Sequence, residues 1–146
     1  MKIEFKNIGL IHSPFKKKEK IPCQGYKTDK RGKVEVFKKY EKALTNIGGF
    51  SHIYLIYYFH KHASFKHMIK PFLDEKERGL FATRYFNRPN PIGISVVKLL
   101  KRKGNILTVK PIDVLNNTPL LDIKPYVPDF GPKEKVKIGW LKEKIR

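Results

Sequence analysis

Ile53-Tyr54-Leu55-Ile56-Tyr57-Tyr58-Phe59 is the stretch that decides the fold class. Every residue in it is apolar or aromatic, and these side-chain types suit a pleated, buried surface. An unbroken run of this kind reads as a central strand covered on both faces. His60-Lys61-His62 ends it. It is the longest apolar run in the chain and far too short to span a bilayer, which takes about 20 residues as a helix.

Other strands read outward from it. Lys2 to Lys6 alternates, with Ile3 and Phe5 on one side, and the pattern continues through Ile8 to Ile11 until Ser13-Pro14. Val34 and Val36 alternate with Lys33 and Glu35. Ile94 to Leu100 and Ile106 to Val114 are joined by a hairpin-like turn, Lys101 to Asn105, containing Gly104. Leu120 to Ile123 is a short strand after the turn Asn116-Asn117-Thr118-Pro119. Tyr40 to Ile47 suits a short helix stopped by Gly48-Gly49. Lys16 to Lys20 and residues 63 to 78 read as surface loops, and Ile21 to Gly25 as irregular. Many short strands punctuated by Gly, Pro and Asn predict a mainly β protein, a single small barrel or sandwich with short helices. The domain is expected over residues 1–132. Residues 133–146 form a basic C-terminal tail whose apolar stripe (Val136, Ile138, Trp140, Leu141, Ile145) must dock on something, which makes it a candidate dimer arm.

Charge narrows the partner. The 146 residues carry 32 Lys and Arg against 13 Asp and Glu, a formal net charge of +19. Neutralising phosphates releases counterions, so an excess of this size favours a nucleic acid. No stretch has the amphipathic pattern of a membrane-surface helix. A single cysteine, Cys23, rules out an intrachain disulfide. Charges interrupt the N-terminal apolar residues, so no signal-peptide core is present and a cytoplasmic protein is expected.

The charges are unevenly placed. From Arg78 to Ile112 there is no carboxylate, yet eight Lys and Arg occur there. A surface built only for solubility mixes signs. Within this stretch, Gly79 to Ser95 reads GLFATRYFNRPNPIGIS. Pro89 and Pro91 around Asn90 stiffen the backbone. Such a loop can present Arg84, Arg88 and Asn90 with little freedom to lose on binding, and arginine suits carboxylate or phosphate. A stiff turn with solvated arginines accounts for the spacing equally well. No glycine-rich nucleotide loop is present, and His60 and His62 with one cysteine do not make a zinc pattern, so no metal is expected.

Phe81-Ala82-Thr83-Arg84, followed by Arg88-Pro89-Asn90-Pro91-Ile92-Gly93, resembles the signature of the TsaA-like family, also called TrmO, the tRNA adenosine-37 N6-methyltransferases. Ile11 to Phe15 resembles the family's first-strand motif. Pro22-Cys23-Gln24 resembles a Pro-Arg-Gln element, with Cys23 where Arg is usual. Gly49 to His60 is similar to the Phe-Ser-His strand. Asp113-Val114-Leu115 with Thr118 to Tyr126 is similar to an Asp-x-x-Asp-Gly-Thr-Pro run ending Asp-Ile-Lys-Pro-Tyr.

The resemblance implies a β-barrel homodimer that binds S-adenosyl-L-methionine near the subunit interface and methylates N6 of threonylcarbamoyladenosine beside the tRNA anticodon. Carried over by motif, the cofactor contacts are Pro22, Cys23, Gln24, His60, Lys61, Arg84, Ile94, Asp113, Val114, Leu115 and Asn116. Arg88, Asn90 and Tyr85 would face the tRNA, with Tyr85 and Phe86 able to stack on a splayed base. The acceptor nitrogen must lose a proton, and Asp113, Asp122 or the substrate's own carboxylate could take it. Asn116-Asn117 departs from the usual Asp-Gly, and Tyr85-Phe86-Asn87 from Ser-Pro-x. Larger bacterial relatives carry a further C-terminal domain. A non-catalytic basic barrel that binds RNA is the competing expectation.

Overall fold

A computed structural model describes residues 1–17, 28–72 and 74–145. Six strands close into an antiparallel barrel: β1 (Gly9–His12), β2 (Gly32–Val36), β3 (His52–Tyr58), β6 (Ile92–Lys103), β7 (Ile106–Lys110) and β8 (Thr118–Pro125), in the order β1-β2-β7-β6-β3-β8. β8 returns to β1 to complete it, with Gly9 opposite Leu120 and Ile11 opposite Thr118. A separate pair, β4 (Met68–Ile69) with β5 (Arg78–Gly79), lies outside the barrel.

Strand parity builds the core. Side chains alternate between the faces of a strand, so every second residue points inward. Ile53, Leu55 and Tyr57 of β3 are buried, as are Val34 and Val36 of β2, and Leu107 and Val109 of β7. With Ile11, Val97 and Leu120 they form one cluster. β3 is therefore buried on one face only, where its unbroken apolar run had suggested both. Tyr54, Ile56 and Tyr58 on the other face are partly exposed. An antiparallel sheet can leave one side to water, and the tyrosines keep their hydroxyls on that side.

Other expectations need correction. Strand pairing starts at Gly9, so Ile3 and Phe5 stay exposed despite their alternation. Tyr40 to Ile47 falls into two 3-10 turns, Lys38–Leu44 and Ile47–Gly49. β6 is longer than predicted, running to Lys103, and the turn shrinks to Gly104-Asn105, with Gly104 at φ 60°. β7 stops at Lys110, three residues before Asp113. The expected loop 63 to 78 contains the β4–β5 pairing and a buried carboxylate, Asp74.

The tail docks on its own chain. Trp140 Nε1 donates to the Ala82 carbonyl at 2.8 Å, and the Arg78 guanidinium lies over the Trp140 ring. Asp74 holds both pieces: Arg78 Nε donates to it, and Lys144 Nζ sits 3.6 Å away. The candidate dimer arm thus spends its tryptophan within the chain, because Ala82 offers an acceptor and Arg78 a planar cation.

Hydrogen bonding from Arg78, and from the backbone of Lys76 and Glu75, holds the Asp74 carboxyl at about 2. Its folded value is the lower one, so the stabilisation is complete above the ordinary carboxylate value of about 4 and is lost as the pH falls through about 2. Trp140, the one tryptophan, reports on this directly. Its fluorescence is expected to change in that acid window, and Asp74→Asn to remove the step. An unaltered acid titration in the variant would show that Asp74 does not pin the tail.

Candidate active site on the barrel wall

β3 and β6 position the site by register. Tyr57 stands opposite Gly93, and Leu55 opposite Ser95. Both Tyr57 and Ser95 have inward parity. The Tyr57 ring crosses over Gly93, where an added Cβ would lie 2.4 Å from a ring carbon, so only glycine admits the ring. The Tyr57 hydroxyl then reaches Ser95 Oγ at 2.8 Å, and Ser95 Oγ donates to Asp113 Oδ1 at 3.3 Å. With its own proton directed to Asp113, Ser95 accepts from Tyr57. The result is a directed relay of two hydroxyls ending on a carboxylate.

Electrostatics sets this group apart. Burial pushes the Asp113 carboxyl up, against the opposing effects of the Ser95 hydrogen bond and the Arg84 charge. Burial and then the Asp113 charge push the Tyr57 phenol up, so it stays a donor. Arg84 acts on both, which places its guanidinium within electrostatic reach of the relay. A carboxylate held less acidic than usual beside an exposed arginine is the pattern of a functional site.

The loop after β7 is fastened to the segment after β1. Ser13 Oγ donates to the Val114 carbonyl at 2.6 Å, and Ser13 N donates to Asn116 Oδ1 at 2.9 Å. Asn116 N donates to the Phe15 carbonyl at 2.7 Å. Val114 is buried, and the Leu115 carbonyl accepts from Thr118 Oγ1. The amide of Asn116 is thus used in holding the loop. Asn117 has φ 65°, the left-handed region that asparagine tolerates better than most residues.

The arginine-rich loop divides its labour. Arg88 Nη1 donates to the carbonyls of Thr83 at 3.0 Å and Tyr85 at 2.9 Å, and its guanidinium lies over the Phe81 ring. Arg88, expected from the sequence to face the tRNA, uses Nη1 to brace the loop. Tyr85 is exposed and packs on Phe86, with ring centroids 4.5 Å apart. Asn90 is exposed at the turn, its carbonyl bonded to Ile92 N. His60 and Lys61 form the turn after β3, which Phe59 N ties to the Pro91 carbonyl at 2.8 Å.

Two assigned residues lie on the opposite side of the wall. Asp122, Ile56 and Ile94 stand in one row across β8, β3 and β6, all with outward parity. Asp122 accepts from Ile123 N and pairs with Lys124 Nζ at 3.0 Å. The two candidate catalytic carboxylates are therefore separated by the sheet. Pro22, Cys23 and Gln24 lie outside the described residues. Sequence reasoning gave Tyr57 and Ser95 no role. The available signal was a hydroxyl at inward parity between Gly93 and Val97.

Residues 10–131 match the model of the tRNA-methyltransferase O N-terminal domain. The chain belongs to the TrmO family. It is 52% identical over 143 residues to a probable S-adenosyl-L-methionine-binding protein of Pyrococcus abyssi, covering 97% of this chain and 77% of that protein. The tRNA (adenine(37)-N6)-methyltransferase of Homo sapiens is 33% identical over 137 residues, covering 88% of this chain and 31% of that protein. The crystal structure of TrmO from Pseudomonas aeruginosa superposes with a TM-score of 0.80 at 34% identity, covering 95% of this chain and 62% of that one. The chain thus spans under a third of the human relative and under two thirds of the bacterial TrmO structure. The expected β-barrel and the resemblance to TrmO are both borne out.

In this TrmO-family chain the relay is expected to cost stability. Raised Asp113 means that the folded state binds a proton more tightly than the unfolded one, so stability falls as the pH rises through its value. Asp113→Asn is expected to melt at or slightly above wild type near neutral pH, and to lose that advantage in acid. Tyr57→Phe should cost about 1 kcal/mol for one buried hydrogen bond. Melting curves across pH check both. A neutral-pH melt of Asp113→Asn well below wild type would mean that the carboxylate serves structure.

Proposed function

We propose that this chain is an S-adenosyl-L-methionine-dependent methyltransferase acting on N6 of threonylcarbamoyladenosine 37 in tRNA. The family match carries the activity, and the Tyr57–Ser95–Asp113 relay beside Arg84 supports where it resides.

The residues suit the cofactor. Its amino-acid end carries a carboxylate, and the exposed Arg84 guanidinium provides the complementary charge. When bound, the cofactor supplies an electrophilic methyl group on its sulfonium. Arg84 binds a carboxylate, His60 and Lys61 border the site from the end of β3, and the fastened Asp113 to Asn116 segment forms its wall. Pro22, Cys23 and Gln24 complete the contacts carried over by motif, while Ile94, on the outer face, faces a second copy. Holding donor and acceptor in line supplies much of the rate in such a displacement.

Asp113 takes the acceptor's proton. A carboxylate raised by burial is a stronger base than an exposed one, and Ser95 keeps it oriented. Asp122, on the outer face and engaged with Lys124, is unsuited to this role. Tyr85 and the highly exposed Phe81 stack on unpaired bases, while Asn90 borders them and Arg88 keeps the loop in shape. The net charge of +19 draws the tRNA in. We place the protein in the cytoplasm as a homodimer in which a second copy covers the exposed Ile94. No helix among the described residues is long and apolar enough to cross a membrane.

Mass spectrometry of tRNA nucleosides after incubation with labelled cofactor tests the reaction. Methylated threonylcarbamoyladenosine is the expected product. Asp113→Asn should lower turnover at least about a hundredfold, the scale of positioned proton transfer, and Arg84→Ala should weaken cofactor binding and lower turnover, both with the melt nearly unchanged. Asp122→Asn should stay within about threefold, since nothing links it to the relay. Should calorimetry find no heat on adding S-adenosyl-L-methionine, and no thermal stabilisation, the non-catalytic RNA-binding barrel is the better reading.

A further inference from the structure

The outer wall of the barrel carries a second cluster that the methyl-transfer site does not use. β6 pairs with β3 along Ile92 to Lys98 and with β7 from Lys98 onward. Lys98 belongs to both ladders. It stands opposite His52 on one side and opposite Lys110 on the other. Three nitrogenous side chains thus share one row across three strands. They line a shallow cleft of about 330 Å³, with Val96 and Pro111 as its apolar wall and Thr28 at its edge. That volume is at the lower end of small-ligand sites.

Like charges directly opposite each other on a sheet destabilise it. Lys98 and Lys110 are nevertheless paired in register. Among the described residues, the one carboxylate lining the cleft is Asp29, whose Oδ1 lies 3.3 Å from Lys110 Nζ and which is itself 90% exposed. Among the described residues Lys98 has no ion-pair partner. His52 is held from one side, with Ser51 Oγ 2.8 Å from its Nδ1. Among the described residues, the row therefore keeps an uncompensated positive charge at a concave, partly apolar place.

Resting on the tRNA reading above, we propose that the His52–Lys98–Lys110 cleft is a phosphate-binding site that grips the RNA backbone away from the methyl-transfer centre. A phosphate in the row would turn a repulsive cross-strand pair into an attractive bridge. Strand parity keeps the two sites on opposite sides of β6, since Ser95 has inward parity and Lys98 outward. The cleft therefore holds the polyanion while the relay acts on a base.

The test uses the full chain and a short unstructured RNA, with affinity measured by fluorescence anisotropy across a salt series. Lys98→Gln/Lys110→Gln is expected to bind about tenfold more weakly, with a salt slope smaller by about one to two, the signature of lost phosphate contacts. Its melt should equal or exceed that of wild type, because the like-charge pair is gone. Lys98→Arg/Lys110→Arg should keep binding and salt slope. A control removing the same charge elsewhere, Lys135→Gln/Lys137→Gln, should cost clearly less. Inorganic phosphate provides the second arm. If it raises the wild-type melt but not that of the Gln variant, while RNA affinity is unmoved, the site serves a small phosphorylated compound and the RNA assignment is overturned. Equal losses in the cleft and control variants, or none in either with no phosphate effect, overturn the site altogether. Calorimetry with S-adenosyl-L-methionine separates the two proposals: absence of cofactor binding in wild type would sink methyl transfer and leave the RNA result standing.

Discussion

A sheet closed on itself loses its free edges, and closure also fixes which side chains can meet inside. In this barrel the consequence concentrates on Tyr57. Parity turns its phenol inward with Ile53 and Leu55, and a buried hydroxyl must find a partner. Ser95 is that partner, on the neighbouring strand and facing the same way. Ser95 in turn directs its proton to Asp113. One requirement for hydrogen-bond satisfaction therefore places a carboxylate that lies beyond the end of any strand. Gly93 makes room for the ring, and the Ser13 and Asn116 bonds keep the loop where Ser95 can reach it.

Such a group is a poor way to build a core. An apolar trio at the same three positions would fill the space without desolvating a carboxylate, and replacements of that kind are often neutral or stabilising. The barrel retains the polar chain where the long, exposed arginine loop comes closest in electrostatic terms, through Arg84. That loop is itself made rigid from within. Arg88 occupies two carbonyls, Pro89 and Pro91 restrict the backbone, and Trp140 of the tail caps Ala82. The chain uses one arginine to brace the loop that carries another.

Much of the fold was legible because parity is written into sequence. The alternation of Val34 and Val36, the apolar run at 53–59 and the Gly104 turn all identify strands or their ends. Ile3 and Phe5 have the same alternation without a partner strand, and pairing is a property of two segments, which a local pattern does not contain. The candidate site was open to reading where one stretch of sequence carries it, as with the motifs that singled out Arg84 and Asp113. It was illegible where register decides. Tyr57 and Ser95 lie 38 residues apart and meet only because β3 and β6 pair as they do. The bracing of the loop by Arg88 was illegible for a different reason: a turn presents its own carbonyls, and which cation meets them depends on the folded path of the loop.

β6 shows how one strand can serve two tasks. Its inward residues Gly93, Ser95 and Val97 shape the relay and the core, whereas its outward residues Ile94, Val96 and Lys98 face away from them. A slip of one residue in its pairing would exchange the two sets completely. Two features oppose such a slip. The Gly93–Tyr57 crossing tolerates no side chain, and the irregularity between Leu99 and Lys101 interrupts the β7 ladder just past Lys98. The register is thus fixed at both ends of the functional segment. Because Lys98 is paired to both neighbours, its backbone is tied to β3 and to β7, and the cleft keeps its place on the wall opposite the relay. The wall of the barrel then does for a polyanion what orientation does for a reaction: it fixes where the chain lies before chemistry begins.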